Sequence, residues 1–457
     1  MAIRLFNIVF LSQLFFSFCL LSCSSCGSRK ELPQKENTEI GRFIIDDTEN
    51  ENIKFPVNDN STYVLTHDID LEGKEYFIPC GVTIKQKSGV IKNGTLIGNG
   101  TKIDASKALF HNVRIKGDWD VPKISTDLFV DLSYDNALRN VVALSSDNVQ
   151  NTIKIKEGNY TFSFVKNGEK GIIPASNTKL QIDGVLKLNA NDLKNYYIVY
   201  LKGENIHVYG DGIIEGDKFS HTGKEGEWGM GVNFANAINC TLSGLTIKNC
   251  WGDCVYIGRN SRNCSVSNCI LDNGRRQGIS ITSGENIKIS NCFISNVNGT
   301  DPEFAIDIEP NRGDTVKNVI VKDVTVNNCV GGFLIYTGEK NNSYVEDVDF
   351  SKCSIDTIGK KGMMKLIRCH NVNVLNNKFM DGHLKYCVVM VDVDNVEFSK
   401  NSFKARKYVL NKISGVAFKK NTIYGGEIYP TDIKNMANSV FNDRIKDNKI
   451  IREYESK

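Results

Sequence analysis

Short, alternating, strand-like segments recur through the middle of the chain at a nearly constant spacing. The segments GVNF, CVYI, GISI, AIDI and GFLI align on five apolar residues spaced by 23, 24, 27 and 27 residues, namely Val232, Val255, Ile279, Ile306 and Phe333. A second set of β-branched alternating segments lies between them, and its members end at Asn or a neighbouring polar residue, as in CTLSGLTIKN. Units this short cannot bury an apolar face alone, so the repeats must stack on one another.

The repeat predicts the fold class. Rungs of 23 to 27 residues, with Asn at a constant turn position and no helix between strands, predict an all-β right-handed parallel β-helix. Neighbouring rungs are then about 4.8 Å apart, with aliphatic ladders inside and stacked Asn side chains at the turns. A leucine-rich repeat is excluded because the Leu-x-x-Leu-x-Leu pattern is missing.

The cysteines follow the same repeat. The chain has 14 of them, and four directly follow Asn at the end of an alternating run: Cys250, Cys269, Cys292 and Cys329. A residue that recurs at one place in each repeat stacks on its copies, and a free thiol packs well as a small apolar group. We therefore expect a ladder of buried thiols rather than a disulfide framework, with an exposed disulfide pair left open.

The N-terminal segment predicts export. Residues 1–22 are interpreted as a signal peptide, because the basic residue Arg4 precedes a predominantly apolar run over 5–21 that is too short to span a membrane. The motif Leu-Leu-Ser-Cys resembles a bacterial lipobox, in which Cys23 becomes the lipidated first residue; an ordinary cleaved signal is the alternative. Polar residues 23–55 then form a tether. We expect an outer-membrane lipoprotein that faces the periplasm or the cell surface.

Three further regions follow the tether. Residues 56–125 carry a shorter repeat and predict a small leading β module, 126–445 form the β-helix, and 446–457 a charged tail. The segment SYDNALRNVVALSS predicts a capping helix with Ser133 as its N-cap. Its apolar face would close the exposed strand edges at the N-terminal end of the solenoid; that face comprises Ala137, Leu138, Val141 and Val142.

The segments IKEGNYTF, SNTKLQIDGVLKL and IHVYGDGIIEGD, with the rungs after them, resemble the opening of the polygalacturonase and pectate lyase superfamily of carbohydrate-active β-helices. The resemblance covers about residues 135–328. The leading module resembles segments ahead of β-helices in Bacteroidetes surface proteins and their phage tail proteins. The resemblance implies a polysaccharide partner and glycosidic bond cleavage, although this fold also carries lyases, esterases, epimerases and non-catalytic proteins.

The family's catalytic motifs match only in part. WGDCVYIG places Asp253 directly before a strand, in the column that holds catalytic aspartates in polygalacturonases. One and two rungs later the same position holds Gln277 and Phe304, His-Gly is absent, and Arg-Ile-Lys occurs only at 114–116. If the protein is an enzyme, its acids are therefore arranged differently.

The segment AIDIE supplies two more acids. With Ile306 and Ile308 facing inward, the alternation of a strand directs Asp307 and Glu309 out of the same wall. Their Cα atoms are roughly 6.5 to 7 Å apart, which suits the roughly 6.5 to 9.5 Å between the carboxyl groups of inverting glycosidases. Asp253, Asp307 and Glu309 are thus the predicted acid and base residues. The alternative is that these residues only solvate an exposed strand.

Residues around these acids are predicted to bind substrate. The set comprises charged, amide and aromatic side chains that the repeat brings to one wall: Arg275, Arg276, Gln277, Tyr256, Trp251, Trp228 and Lys365. Two other functions stay open. A polysaccharide lyase would bind Ca²⁺ at Asp307 and Glu309 and use Arg276 or Lys365 as its base. A non-catalytic protein would bind glycans or present the solenoid.

Charge and histidine spacing exclude other classes. The formal net charge is only +3, so nothing indicates nucleic acid as a partner. The six His residues show no zinc-ligand spacing. We expect a monomer without a cofactor, apart from Ca²⁺ in the case of a lyase.

Overall fold

The computed structural model describes residues 58–340, 342–380, 387–404, 408–424, 445–446 and 448–451. The predicted signal peptide, the tether with Cys23 and most of the predicted tail lie outside these residues. Within them, no helix is long and apolar enough to cross a membrane.

The first six strands form a parallel sheet that is itself coiled. Thr62 pairs with Thr83, and Thr83 with Lys102, so each turn of this coil takes about 20 residues and is shorter than the rungs that follow. A parallel bridge from Phe110 to Phe129 continues the stack toward the second sheet. The strands are β1 (Thr62–Leu65), β2 (Ile69–Asp70), β3 (Glu75–Phe77), β4 (Thr83–Gln86), β5 (Ile91–Asp104) and β6 (Phe110–Asp120).

Among the described residues, the second sheet has 33 strands and winds into the predicted parallel β-helix, which has three faces. Face A, which carries the candidate site, comprises β10 (Glu169–Ile172), β13 (Asn195–Glu204), β16 (Trp228–Ile238), β19 (Val255–Gly258), β23 (Ile279–Ile281), β26 (Phe304–Ile308), β28 (Thr325–Tyr336), β30 (Ser354–Ile367), β33 (Val388–Ser399) and β35 (Tyr408–Ser414). Strands β28 and β30 begin on face C, and β33 ends on face B.

Faces B and C complete each rung. Face B comprises β7 (Lys123–Ser125), β8 (Asn151–Ile155), β11 (Thr178–Ile182), β14 (His207–Tyr209), β17 (Thr241–Ser243), β20 (Ser261–Arg262), β21 (Ser265–Ser267), β24 (Gly284–Ser290), β27 (Thr315–Lys322), β29 (Tyr344–Ser351), β31 (His370–Leu375), β36 (Ala417–Lys419) and β38 (Ile445–Lys446). Face C comprises β9 (Asn159–Phe162), β12 (Val185–Leu188), β15 (Ile213–Glu215), β18 (Thr246–Lys248), β22 (Ile270–Asp272), β25 (Phe293–Ser295), β32 (Lys378–Phe379), β34 (Ser402–Phe403), β37 (Thr422–Tyr424) and β39 (Lys449–Ile451).

The predicted apolar column is confirmed. Val232, Val255, Ile279, Ile306 and Phe333 pair in this order across five consecutive rungs, and all five are fully buried. Each rung therefore repeats one inward side chain above the last, which buries a continuous apolar core along the solenoid. Strand β7, predicted as part of the leading module, pairs instead with β8 of the second sheet.

Asparagine side chains stack at the turns, as expected. Asn263 has a φ of 54°, and its amide lies between those of Asn239 and Asn286 at hydrogen-bond distances of 3.1 and 2.9 Å. Asn tolerates this left-handed backbone better than most residues, and its amide both donates and accepts. The same position in successive rungs therefore favours Asn for both its backbone and its side chain.

The buried thiols agree with the predicted ladder. Cys269 and Cys292 directly precede the paired residues Ile270 and Phe293, so they occupy one column in adjacent rungs. The thiol of Cys292 donates to the carbonyl of Ser290 at 3.3 Å. The following cysteines are buried without disulfides: Cys240, Cys250, Cys254, Cys264, Cys269, Cys292, Cys329, Cys353 and Cys369.

A short helix, α1 (Leu138–Val142), packs between the two sheets against β6, β7 and β10. Leu138, Val141 and Val142 are buried as predicted, but Ser133 is not the N-cap. Asn136 has a φ of 63°, a left-handed conformation that prevents the helix from starting earlier, so Ala137 occupies the cap position. The Ser133 hydroxyl instead bonds Asp131.

Replacing Asn401 by Ala tests the buried part of the Asn stack. The Asn401 side chain is 1% exposed, accepts from the Asn377 backbone N–H at 2.8 Å and donates to the Val374 carbonyl at 2.7 Å. Both groups lose their partner, so we expect unfolding free energy to fall by about 2–4 kcal/mol in denaturant titrations. Asn373→Ala, which removes an exposed amide, serves as the control and should cost no more than about 0.5 kcal/mol. Equal losses in both variants would contradict this account.

Candidate functional site

The register of face A aligns one column of outward side chains across six rungs. Their order along the solenoid is Asn233, Tyr256, Ser280, Asp307, Leu334 and Lys365. Lys365 therefore shares the column of Asp307 and lies two rungs, about 10 Å, beyond it. Asp253 and Gln277 belong to a second column, three residues ahead of this one in each rung.

Asp253 is completely buried, although it lies on the outer wall. Its Oδ2 accepts from the Ser280 hydroxyl of the next rung at 2.7 Å and lies 3.6 Å from Nη1 of Arg276. Its Oδ1 has no hydrogen-bond partner among the residues that the structure describes. Burial raises the pKa of Asp253 to about 6, and the charge of Arg276 opposes part of that shift.

Asp307 faces outward as predicted but is only 2% exposed. Its Oδ2 accepts from Nε2 of Gln277 at 2.8 Å, and the backbone N–H of Phe304 donates to Oε1 of the same Gln277 at 2.8 Å. Because the Phe304 N–H fixes Oε1 of Gln277, the Nε2 end of the amide faces Asp307. Gln277 is fully buried, so it positions Asp307 instead of binding substrate as predicted.

Glu309 forms a carboxyl pair with Asp307. Burial, followed by repulsion from Glu309, raises the pKa of Asp307 well above its usual value. Burial also raises the pKa of Glu309, while the charge of Arg276 opposes the rise. Both carboxyl groups therefore have raised pKa values, and repulsion between them disfavours the state in which both are ionised.

Arg276 lies among the acids and is the charge that balances them. Its side chain is 16% exposed, and its Nε is 3.4 Å from Oε2 of Glu227, a residue that sequence reasoning missed. Burial works against the charge of Arg276, but Asp253, Asp307 and Glu227 raise its pKa overall. Arg276 therefore stays protonated and is unsuitable as the base of a lyase, contrary to that prediction. Glu227 lies outside the repeat, directly before β16, so no periodic signal indicated it.

Trp251 and Arg275 hold the loop before β16 together. The ring of His221 stacks on Trp251 with centroids 3.8 Å apart, and the Arg275 guanidinium carbon lies 3.6 Å from the Trp251 centroid. Two planar groups this close must occupy opposite faces of the indole. Nη1 of Arg275 also donates to the carbonyls of Gly226 and Trp251 at 3.0 and 3.2 Å. Trp251 therefore offers no free face to a sugar, and Nη1 of Arg275 fastens the loop.

An aromatic groove adjoins the acids on their N-terminal side. It has a volume of about 370 Å³. Trp228 is 49% exposed there, in contrast to Trp251, and the rings of Tyr197 and Tyr200 lie 5.3 Å apart. The full lining is Gly168, Lys170, Tyr197, Tyr200, Trp228, Met230, Asn233, Tyr256, Arg259 and Asn311. The predicted binding residue Tyr256 thus lies where the groove meets the acid cluster.

The family model described as right handed beta helix region matches residues 181–350 and 231–423, which together cover more than half of the chain. The chain belongs to the right-handed β-helix family. This confirms the predicted hand of the solenoid.

Two relatives from Bacillus subtilis (strain 168) match part of this right-handed β-helix protein. The SPbeta prophage-derived uncharacterized protein YorA is 26% identical over 216 residues, which cover 40% of this chain and 37% of YorA. The uncharacterized protein YclG is 29% identical over 161 residues, covering 30% of this chain and 27% of YclG. The match thus spans about a third of each relative's length.

Solved right-handed β-helix structures also align with the chain. The Dettilon tailspike protein (gp208) aligns with a TM-score of 0.47 and 14% identity, covering 67% of this chain and 62% of its own. The A-module of the Azotobacter vinelandii mannuronan C-5 epimerase AlgE6 aligns at 0.46 and 12%, covering 71% and 97%. A Yersinia enterocolitica family 28 exopolygalacturonase aligns at 0.43 and 11%, covering 67% and 78%.

The acid cluster offers few ligands to a metal ion. Among the described residues, no three His, Cys, Asp or Glu side chains are grouped so that they would hold a metal ion. Ca²⁺ takes six to eight oxygen ligands, and Asp307 already uses one oxygen for Gln277. The Asp307 and Glu309 pair therefore fits the Ca²⁺ considered for a lyase poorly.

Asp253→Asn tests the electrostatic cost of the cluster. The folded pKa of about 6 exceeds the ordinary 3.8, so ionising Asp253 penalises the folded state as pH rises from about 4 to about 6. In denaturant titrations at pH 8, the unfolding free energy of the variant should exceed that of the parent by about 1–3 kcal/mol. At pH 4 this difference should disappear. Glu285→Gln, at an exposed site on face B, should show no such gain. A destabilised Asp253→Asn protein at pH 8 would refute the assignment.

Proposed function

We propose that the protein hydrolyses glycosidic bonds of a polysaccharide that lies along the outer wall of face A. The observation that supports this most is the gathering of Asp253, Asp307 and Glu309, all with raised pKa values, around Arg276. Carboxyl groups with raised pKa values are rare on ordinary strands and are the groups that glycosidases use. The aromatic groove next to them supplies ring surfaces on which sugars pack.

The order of the pKa values suggests the roles. A general acid needs the higher pKa and a general base the lower, so the Asp307 and Glu309 pair serves as the acid and Asp253 as the base. Asp253 takes a proton from water, whose oxygen attacks the anomeric carbon. The glycosidic C–O bond breaks, and the proton of the Asp307 and Glu309 pair passes through Glu309 to the leaving oxygen. Glu309 touches the substrate because it is the most exposed of the three.

The binding of a sugar must rearrange Arg276 in this proposal. Asp253 is fully buried and in contact with Arg276, whose own side chain is 16% exposed. Displacement of the guanidinium toward the exposed Glu227 would open Asp253 to water while keeping an ion pair.

Glu309→Gln and Asp253→Asn should each lower kcat about 100-fold or more, since general acid and base catalysis typically contribute 10²–10⁴. The assay measures new reducing ends across a polysaccharide panel. In the parent, activity should rise through about pH 6 as Asp253 ionises and fall at higher pH as the acid pair loses its proton. Glu285→Gln is the matched control and should keep full activity. Full activity in Glu309→Gln would rule out the proposed acid.

A polysaccharide lyase is the second candidate, and Lys365 is the observation that favours it. Burial, together with the neighbouring Lys361, lowers the pKa of Lys365, as a proton-abstracting lysine requires. Its Nζ lies 5.6 Å from the ring centroid of Phe304, on the outer wall beyond Asp307. Elimination would give an unsaturated uronate that absorbs in the ultraviolet. If the parent protein forms this product and Lys365→Met does not, the assigned reaction becomes elimination and not hydrolysis.

A non-catalytic glycan-binding protein is the remaining alternative. The closure of Asp253 and Asp307 from solvent favours it. Retention of a polysaccharide by the protein, with neither reducing ends nor ultraviolet-absorbing products, would establish this function.

We also propose that Cys23 carries a lipid that anchors the protein in the bacterial envelope. The motif Leu-Leu-Ser-Cys after the apolar run supports this proposal. The full-length protein should sediment with membranes, and Cys23→Ser should release it into the soluble fraction. Membrane retention of Cys23→Ser would point to another anchor.

A further inference from the structure

A loop of unusual length flanks the acids of face A. Residues 216–227 join β15 to β16 in twelve residues, whereas the corresponding loops of the next two rungs have six each. The long loop ends at Glu227, whose Oε2 lies 3.4 Å from Nε of Arg276. Nη1 of Arg276 lies 3.6 Å from Oδ2 of Asp253. The position of the loop end therefore decides which charges surround Asp253.

The start of the loop is fixed by a buried pair, Asp217 and His221, whose side chains have no exposed surface. Nδ1 of His221 and Oδ2 of Asp217 form a hydrogen bond of 2.8 Å. Asp217 also accepts from Nδ2 of Asn191 at 2.9 Å and from the Tyr196 hydroxyl. Nε2 of His221 has no hydrogen-bond partner in the part of the chain that the structure describes. The bond to Asp217 therefore orients the imidazole.

The imidazole of His221 connects the start of the loop to its end through Trp251. The two rings stack with an interplanar angle of 19°, and the Arg275 guanidinium covers the other face of the indole. Nη1 of Arg275 donates to the carbonyl of Gly226, the residue before Glu227, at 3.0 Å. Gly226 has a φ of 97°, and a Cβ at this position would lie 2.3 Å from a facing backbone atom. The loop end therefore has little room to shift while Arg275 holds it.

We infer that Asp217 and His221 are positioning residues of the candidate site. Through the rings and the guanidinium between them, they hold Glu227 beside Arg276. The inference rests on the proposed function, in which Arg276 moves toward Glu227 when Asp253 opens to water. The buried pair thus keeps in place the carboxylate that receives the guanidinium.

The pKa of Asp253 reports on the position of Glu227. Burial raises this pKa to about 6, and the charge of Arg276 and the hydrogen bond from Ser280 oppose the rise. The charge of Glu227 adds to the rise. If Glu227 moves away, a like charge is lost and Arg276 has one carboxylate fewer to share, so the pKa of Asp253 should fall. This measurement needs no substrate.

The experiment titrates Asp253 by NMR in the full-length protein, labelled with ¹³C at the aspartate carboxyl carbons. The spectrum of Asp253→Asn identifies the resonance. Glu227→Gln should lower the pKa of Asp253 by about 0.5 or more, and His221→Ala should lower it by a similar amount. His221→Phe keeps a flat ring on Trp251 and should keep most of the parent value. His221→Leu fills the same space without a flat ring and replaces His221→Ala if that variant does not fold.

Two further variants separate positioning from a general loss of stability. His207→Ala is the matched control, because it removes an imidazole that bonds Thr241 at 3.0 Å on face B, and it should leave the pKa of Asp253 unchanged. The double variant Glu227→Gln with His221→Ala should show the shift of Glu227→Gln alone, since residues that act through one another are not additive.

An unchanged pKa of Asp253 in Glu227→Gln, or in His221→Ala or its Leu replacement, would overturn the inference. So would a shift in the double variant equal to the sum of the single shifts. The proposed hydrolysis fails separately: a protein that shows the expected shifts but cleaves no polysaccharide would leave the positioning roles standing. Cleavage by a protein whose Asp253 does not respond to His221 would leave the hydrolase standing and refute those roles.

Discussion

In-register pairing of one rung with the next is the constraint on which the rest of this structure depends. Val255 pairs with Ile279 and Ile279 with Ile306, so every inward residue lies above its copy and every outward residue does the same. A slip of one residue would exchange the buried and outward sets. The stacked Asn turns oppose such a slip, because a misaligned rung would leave amides such as that of Asn263 without their neighbours.

The same register assembles the candidate site from residues that are far apart in the chain. Ser280 reaches back one rung to Asp253, and Gln277 reaches forward one rung to Asp307. These two cross-rung bonds bring acids from the first and third of three rungs toward the middle one, where Arg276 lies. Burial of several carboxyl groups costs stability, and the long aliphatic core is what allows the fold to carry that cost. The candidate site therefore lowers the unfolding free energy of a fold that the aliphatic core stabilises.

Much of the wall was predictable from the chain, because a strand alternates its side chains and the spacing repeats. That reasoning placed Asp307 and Glu309 outward and Asp253 one column away, as found. The reasoning failed for residues whose neighbours come from the loops between strands. His221 and Arg275 cover both faces of Trp251, and Glu227 reaches Arg276 from a segment without periodicity. The start of α1 was missed for a similar reason, since the left-handed turn at Asn136 carries no helix signal.

The amino-acid sequence by itself determined the solenoid, its stacked Asn and Cys positions and the side of the wall on which each acid lies. These follow from alternation and spacing, which are local properties of the chain. Only the tertiary structure decided that Asp253 and Asp307 are buried, that the pKa values of Asp307 and Glu309 are raised, and that Arg276 stays charged among them. Burial and charge pairing depend on what the loops place over the wall, and loop contacts join residues whose separation follows no repeat.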